Sequence, residues 1–326
     1  MKLINKVAFI IVGWNNKVLL DECFKSVLSQ THKPIDIYYV DNDSQDSSLD
    51  YVKESFPNVK LITPGYNSGF AKGNNIAIEQ ALKDPDVNYI ALLNSDARVK
   101  QDWASLIIEF ALKKPKAALL QGTTLDYYNH EIIDSTHVYV SLNGQGTQGN
   151  WRYHYQRDLG PKKVFGVNAA ACLITREFIE SQPFPQLFDE RMFMYLEDVD
   201  LVSRATIMGW DNYLVPKARA FHMGSASSTK NPNFSLYMTF RNNSALLYKN
   251  FPLKMLLKMI PQVIRGDIDT VRVLRRMHKK SAAREVIRGR IVGIFRLPLF
   301  ITKRRKVQKN MNIPEGYLQS LMRNGY

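Results

Sequence analysis

Cysteine is scarce in this chain, which contains only Cys23 and Cys172 among its 326 residues. Each cysteine stands beside apolar neighbours, in Glu-Cys-Phe and Ala-Cys-Leu. Two isolated thiols make neither a disulfide framework nor a zinc cluster, so both of these classes are excluded. The cysteine content therefore predicts a reducing compartment.

Long apolar runs are also missing. A membrane-spanning helix needs about 18 or more consecutive apolar residues, and the longest candidate, residues 291–301, is interrupted by Arg296 and Pro298. The first apolar run, residues 7–12, is short and is followed by Gly-Trp-Asn-Asn. That pattern indicates a buried strand rather than the core of a secretory signal. We expect neither a signal nor a transmembrane helix.

The two common glycine-rich nucleotide motifs are absent as well. Residues 64–75 are rich in glycine and amide side chains but match neither Gly-x-Gly-x-x-Gly nor the Walker pattern. A dinucleotide oxidoreductase and a P-loop NTPase are therefore disfavoured. The glycines still allow close approach of a ligand, and a helix beginning here presents its N-terminus to a phosphate.

Positive charge, in contrast, is abundant and concentrated near the end of the chain. The formal net charge is +14. Residues 251–306 carry 16 Lys and Arg against 3 Asp and Glu, which accounts for nearly all of it. The partner of this region is expected to be anionic: a membrane surface, an acidic lipid head group or nucleic acid.

The first hundred residues alternate apolar runs with helical spacing. This order predicts an α/β fold, with a mainly parallel sheet flanked by helices. Ligands of such sheets bind at the carboxyl ends of the strands, so functional residues are expected at 13–16, 41–46, 64–69 and 94–98. The predicted strands are 7–12, 35–40, 59–62 and 89–93, and the predicted helices are 17–30, 47–56 and 69–82.

The later sequence changes character twice. Residues 136–149 contain three glycines and indicate a loop or hairpin, and residues 164–175 indicate a buried strand. From residue 251 onward the pattern is basic, helical and free of strand signals. We therefore predict a catalytic domain at 1–250 and a basic helical appendage at 251–326.

Several carboxylates follow predicted strands. Asp41 ends the second strand, where it either caps the next helix or accepts bonds from a nucleoside. Asp96 ends the fourth strand and suits Mg²⁺ or Mn²⁺, which share oxygen ligands with substrate phosphates. The alternative for Asp96 is a cap for the helix beginning near Asp102.

The densest feature is the segment 188–201, in which carboxylates alternate with aromatic and methionine side chains. A solvated helical face would not carry so much apolar surface. On a helix that starts near Glu197, one carboxylate faces a cleft while another caps the helix. Crowding in apolar surroundings raises carboxylate pKa values, which suits a general base. His222 is either a core residue or a ligand, depending on whether it shares a cleft with Asp96.

Together these segments resemble the family 2 glycosyltransferases with the GT-A fold, in the bacterial branch that includes rhamnosyltransferases and galactofuranosyltransferases. The resemblance covers residues 7 to 241. It is carried by Trp14-Asn15, Val40-Asp41-Asn42-x-Ser44-x-Asp46, Asn67-x-Gly69-Phe70-x-x-Gly73-Asn74-Asn75, Leu93-Asn94-Ser95-Asp96 and Phe188-Asp189-Glu190-x-x-Phe193-x-x-x-Glu197-Asp198-x-Asp200-Leu201-x-x-Arg204.

The resemblance implies a role for each matching position. Asp198 is the general base, Glu197 assists the acceptor, and Asp96 binds a divalent metal that His222 completes. Asn94 stands where the family's Asp-x-Asp motif has its first acid. The donor-binding positions are Asn15, Asp41, Asn67, Gly69, Lys72, Asn75, Asn94 and Ser95.

The implied reaction is an inverting transfer of a sugar from a nucleoside-diphosphate sugar, with dTDP-rhamnose first among the donors. The expected acceptor is a glycan or a lipid-linked sugar used in cell-surface polysaccharide synthesis. The appendage is expected to attach peripherally to the cytoplasmic leaflet of an anionic membrane; packing on the catalytic domain is its alternative, and oligomerisation stays open. A sugar nucleotidyltransferase and a basic nucleic-acid-binding protein are the rival classes. No nucleic-acid motif is present, so nucleic acid is not the expected partner.

Overall fold

One large twisted sheet organises the computed structural model, which describes residues 5–156, 160–224 and 231–324. The strands are β1 (Lys6–Gly13), β2 (Ile35–Asp41), β3 (Lys60–Ile62), β4 (Val87–Leu93), β5 (Ala97–Val99), β6 (Ala117–Asp126), β7 (Ile133–Ser135), β8 (His137–Val140), β9 (Gly146–Gly149), β10 (Lys162–Val164), β11 (Ala171–Thr175) and β12 (Asp211–His222). The sheet runs in the order β10-β12-β6-β11-β4-β1-β2-β3, with β5 beside β12 and β7 beside β6.

Helices cover both faces of this sheet. The helices are α1 (Lys17–Leu28), α2 (Ser48–Ser55), α3 (Gly69–Ala81), α4 (Trp103–Ala111), α5 (Arg176–Glu180), α6 (Glu197–Ile207), α7 (Pro232–Asn250), α8 (Leu253–Arg276), α9 (Lys280–Phe295), α10 (Ile301–Lys309) and α11 (Glu315–Asn324), with 3₁₀ helices at Glu190–Met192 and Leu297–Phe300. The predicted α/β class is therefore confirmed, and each predicted helix and strand before residue 94 is present within two residues at its ends.

The direction of pairing differs between the two halves of the sheet. β3, β2, β1 and β4 are mutually parallel, as predicted, because helices connect them. β11 then pairs antiparallel with both β4 and β6. The prediction of one strand over 164–175 was wrong. Residues 165–170 leave the sheet between β10 and β11, and their apolar character reflects burial in the core beneath α6.

Alternate residues of β1 divide the core into two layers. Val7, Phe9 and Ile11 face α1, α2 and α4, and Phe9 packs beside Trp103 with ring centroids 5.9 Å apart. Ala8 belongs to the opposite layer, which contains α3, α5 and α6. Both layers are apolar, which explains why β1 is a continuous apolar run rather than an alternating one.

The C-terminal helices pack on the second layer. Met255 of α8, Val307 of α10 and Leu318 of α11 are buried in the same core as Leu246 of α7. The core of residues 251–322 is therefore continuous with the core beneath the sheet. Within the described ranges, every helix is too short or too polar to cross a membrane.

Candidate active site

A cleft of about 480 Å³ opens where β4 ends, between the β8–β9 hairpin and the N-terminus of α6. Sequence reasoning placed functional residues at the end of this strand, and the cleft collects the metal-binding and catalytic candidates together. The predicted residues that line it are Asn94, Ser95, Asp96, Glu197, Asp198 and His222.

Pairing of β12 with β5 brings His222 beside the end of β4. His222 pairs with Ala97 in the ladder, one residue beyond Asp96. As a result, His222 Nε2 lies 3.3 Å from Asp96 Oδ1 and 3.3 Å from Asn94 Nδ2. His222 therefore shares the cleft with Asp96, which is the arrangement that its role as a ligand requires.

Asp134 completes this group from the other side of the imidazole. Its Oδ2 lies 3.0 Å from His222 Nδ1. Burial lowers the pKa of His222, but the bonds with Asp134 and Asp96 outweigh burial and raise it to about 10. Asp134 sits in the three-residue strand β7, in a stretch without a recognisable motif, so sequence reasoning missed it.

A divalent cation would displace the proton on His222 Nε2, and Asp96 and His222 would then fit it as two of its ligands. Adjacent ligands of an octahedral ion at about 2.1 Å are about 3.0 Å apart, close to the observed 3.3 Å. Asp134 bonds the opposite ring nitrogen, so it orients the imidazole rather than joining the same ion. The described residues contain no group of three or more His, Cys, Asp or Glu that could hold a metal ion.

Asp198 faces the same cleft from the first turn of α6. Its Oδ1 accepts the Val199 N–H at 2.8 Å, and its Oδ2 lies 3.4 Å from the Ala169 nitrogen. Burial raises the pKa of Asp198 above its ordinary value, and these backbone bonds offset part of that increase. A half-buried carboxylate with a raised pKa and an open face is suited to accept a proton.

Glu197, the first residue of α6, is more deeply buried. It is 6% exposed, and its Oε2 has no hydrogen-bond partner among the described residues. Burial raises its pKa well above the ordinary value, and the neighbouring charge of Asp198 adds to the effect. A buried carboxylate oxygen without a partner is unfavourable for folding, which points to a functional reason for its presence.

Two of the three remaining acids of this segment have structural roles. Asp189 and Asp200 are both fully buried and both accept bonds from Lys249 Nζ at 2.8 Å. Burial alone would raise the pKa of Asp189, but Lys249 and Lys303 hold it well below its usual range. Asp189 and Asp200 thus hold α6 against α7 and do not line the cleft.

The predicted donor-binding residues of the first two loops lie beside the cleft rather than in its lining. Asn15 Oδ1 accepts the Gln45 N–H at 2.6 Å, and the Asn15 N–H donates to Ser44 at 3.0 Å. Asp41 is buried and accepts the Ser44 N–H at 3.0 Å. These bonds join the loops after β1 and β2 into one wall.

The predicted residues around α3 lie on the same side. Asn67 Oδ1 accepts the Gly69 N–H at 3.0 Å. Lys72 Nζ lies 5.2 Å from the centre of the Tyr66 ring. The Asn75 amide donates to Phe188 and Glu190 and accepts from the Phe188 N–H. In this structure, therefore, Asn75 holds the loop before α6 rather than lining the cleft.

Solved structures with the same architecture are glycosyltransferases with the GT-A fold. GalNAc-T7 with UDP, GalNAc and Mn²⁺ matches with a TM-score of 0.58 at 15% identity, over 76% of this chain and 48% of its own. TarS 1–349 from S. aureus matches at 0.54 and 14%, over 98% and 92%. The mannosyltransferase PcManGT from Pyrobaculum calidifontis, with GDP-Man and Mn²⁺, matches at 0.54 and 13%, over 93% and 85%.

Sequence comparison identifies the family. The model of glycosyl transferase family 2 matches residues 8–181, and this chain belongs to that family. An N-acetylglucosaminyl-diphospho-decaprenol L-rhamnosyltransferase of Mycobacterium tuberculosis is 27% identical over 233 residues, covering 65% of this chain and 74% of that protein. An uncharacterized glycosyltransferase of Haemophilus influenzae is 26% identical over 123 residues, 37% of this chain and 36% of that protein. The expected family and its rhamnosyltransferase-like branch are confirmed.

Glu197→Gln should stabilise the protein while impairing its activity. The amide keeps the shape but removes a buried charge, so we expect Tm to rise by about 3 °C at pH 8. The folded wild-type protein holds the Glu197 proton more tightly than the unfolded chain does. The folded wild-type protein therefore becomes less stable as pH rises through the raised pKa of Glu197.

The increase in Tm of Glu197→Gln over wild type should therefore shrink as pH falls toward 4.5, the ordinary pKa of glutamic acid. Thermal unfolding at several pH values measures it. Glu79→Gln, at an exposed position of α3, should leave Tm unchanged. An equal or lower Tm for Glu197→Gln at pH 8 would contradict the assignment of an unfavourable buried charge.

Proposed function

We propose that this chain is an inverting glycosyltransferase in which Asp198 is the general base. The observation that carries the proposal is that Asp198 faces one cleft with Asp96 and His222. Asp198 removes the proton from an acceptor hydroxyl, and that oxygen attacks the anomeric carbon of the donor. The bond from that carbon to the nucleoside diphosphate breaks on the opposite face, so the configuration inverts.

Glu197 binds the acceptor in this proposal. Its Oε2 has no partner among the described residues, and the side chain lines the cleft beside the base. A sugar hydroxyl that donates to this oxygen would satisfy it. Because the bound acceptor removes the unfavourable burial of an unpaired oxygen, this hydrogen bond contributes to the free energy of acceptor binding.

Asp96 and His222 would hold a divalent metal, Mg²⁺ or Mn²⁺. Such an ion prefers carboxylate and phosphate oxygens and tolerates imidazole. When bound, it supplies positive charge that neutralises the leaving diphosphate. The spacing of the two side chains supports this assignment, as does the Mn²⁺ in the complexes of GalNAc-T7 and PcManGT.

The donor is a nucleoside-diphosphate sugar, with dTDP-rhamnose first and UDP-sugars next. The mycobacterial relative is an L-rhamnosyltransferase, which supports rhamnose. Asp41 receives the nucleoside, since it is the buried acid at the end of β2, next to the cleft. Asn15, Asn67, Gly69 and Lys72 border the same side of the sheet edge.

The acceptor is a lipid-linked sugar used in cell-surface polysaccharide synthesis. The mycobacterial relative acts, by its name, on N-acetylglucosaminyl-diphospho-decaprenol. In this chain Trp151 and Arg152 line the cleft, and Trp151 is 54% exposed. An exposed aromatic face suits a sugar ring, and a neighbouring guanidinium suits a diphosphate.

The α8–α9 surface attaches the enzyme to the cytoplasmic leaflet of an anionic membrane. A groove of about 350 Å³ between these helices is lined by Ile268 and Ile291, each nearly half exposed, with Arg272 and Arg275 beside them. Apolar side chains flanked by cations suit the interface of an anionic bilayer. Attachment there would keep the cleft close to a lipid-linked acceptor.

Asp198→Asn should abolish turnover while leaving donor binding intact. The amide cannot take the acceptor proton, so we expect kcat to fall by about 10²–10⁴-fold, with the donor dissociation constant changed by less than about three-fold. Asp102→Asn, at an exposed site before α4 without a side-chain cap, is the control and should keep wild-type kcat. Near-normal turnover by Asp198→Asn would refute the base assignment.

Asp96→Asn should remove the dependence of nucleotide binding on metal. For the wild-type protein, titration calorimetry with dTDP or UDP is expected to give tighter binding with Mn²⁺ than with EDTA. The Asp96 variant should bind equally weakly in both. Asp134→Asn should weaken the metal effect by about 10–100-fold, as expected of a residue that orients a ligand. An unchanged Mn²⁺ effect in Asp96→Asn would exclude Asp96 as a ligand.

Ile268→Glu with Ile291→Glu should abolish binding to anionic vesicles. The full-length protein is expected to float with phosphatidylglycerol vesicles and not with phosphatidylcholine vesicles. Point substitutions are preferable to truncation, because residues 251–322 complete the core. Val18→Glu, on the exposed face of α1, introduces a charge elsewhere and should not change flotation. Absence of wild-type protein from anionic vesicles would reject membrane attachment.

A further inference from the structure

The loop that leads into Glu197 and Asp198 has an unusual backbone. Phe193, Tyr195 and Leu196 have φ values of 64°, 69° and 66°, which bulky L-residues rarely adopt. Phe193 is the centre of a tight turn in which the Met194 N–H donates to the Met192 carbonyl at 2.8 Å. Such a backbone persists only where its surroundings hold it in place.

One side chain of α7 shares its two N–H donors among three carbonyl oxygens of this loop. Asn242 Nδ2 lies 2.8 Å from the Met192 carbonyl oxygen, 2.9 Å from that of Met194 and 2.8 Å from that of Tyr195. Asn242 is 2% exposed. The three carbonyl oxygens converge on one nitrogen only in this conformation of the loop, so the contact is specific to it.

The orientation of the Asn242 amide is itself fixed. Its Oδ1 accepts the Arg241 Nε–H at 2.9 Å, and Arg241 Nη2 donates to the Met192 carbonyl at 2.8 Å. The donor end of the amide therefore faces the loop, and the acceptor end faces a guanidinium. No other arrangement of the amide satisfies both neighbours.

The opposite side of the loop rests on the start of α3. The Phe193 carbonyl accepts the Ala71 N–H at 3.0 Å. A Cβ placed on Gly69, whose φ is +75°, would lie 2.5 Å from the Phe193 ring. The loop is thus held between α3 and α7, and the residues that follow it directly are Glu197 and Asp198.

We propose that Asn242 is a positioning residue for the reaction: it fixes the strained loop so that Glu197 and Asp198 face the cleft. This inference rests on the proposed role of Asp198. On the side of the loop Asn242 contacts only backbone carbonyl oxygens, so its loss should displace the proposed base without removing any group that binds the donor. A displacement of about 1 Å in a catalytic group lowers the rate by about 100-fold.

Asn242→Ala tests this inference through both kinetics and the loop itself. We expect kcat to fall by about 100-fold, the donor KM to change by less than about three-fold, and amide hydrogen exchange in residues 192–198 to increase. Asn242→Ser, which keeps one short donor, should give intermediate values and serves if the alanine variant folds poorly.

Asn212→Ala is the matched control. Asn212 is also a buried asparagine, and its Nδ2 donates to the Phe165 carbonyl at 2.7 Å, away from the strained loop. It should lose stability without the kinetic defect or the increased exchange at 192–198.

The inference is overturned by unchanged exchange at 192–198 in both Asn242 variants, or by a kcat of Asn242→Ala within three-fold of wild type. Equal kinetic losses in the Asn212 control would also overturn it, since the effect would then be general destabilisation. Hydrogen exchange reports on the loop itself and does not depend on which residue is the base. Full turnover by Asp198→Asn would contradict only the base assignment, so the two failures are distinguishable.

Discussion

The buried ion network around Lys249 is the interaction on which the arrangement of this protein depends. Lys249 of α7 is 1% exposed and bonds both Asp189, before the strained loop at 193–196, and Asp200, within α6. Lys303 of α10 bonds Asp189 as well, at 2.7 Å. Two carboxylates so deeply buried are tolerable only with such partners, and removing one partner of a buried pair costs about 3–5 kcal/mol.

This network joins the C-terminal helices to the segment that precedes and includes α6. The sheet supplies Asp96 and His222, which are fixed by strand pairing. The proposed base, Asp198, comes from α6, which Lys249 joins to α7 through Asp200. The basic sequence of the appendage thus has two uses: Lys303 adds to the neutralisation of Asp189, and the exposed cations give the α8–α9 surface its charge.

Much of the fold and the centre of the site were predictable because their signals are local. Alternation of apolar runs and helical spacing predicted the first four strands, and a carboxylate after a buried strand pointed to Asp96. Asp134, Asn242 and Lys249 were missed, because each acts through a contact with residues more than 40 positions away. Asn75 illustrates the converse: its motif suggests donor binding, yet its amide is bonded to the loop before α6.

The most direct test of the account identifies the phosphorus-containing product and the configuration of the new bond. The protein is incubated with dTDP-rhamnose or a UDP-sugar, Mn²⁺ and a lipid-diphosphate-linked sugar, and the mixture is followed by phosphorus and proton NMR. The account predicts that one nucleoside diphosphate is released for each acceptor glycosylated, with the anomeric configuration opposite to that of the donor. Release of pyrophosphate, or a product that retains the donor configuration, would contradict it.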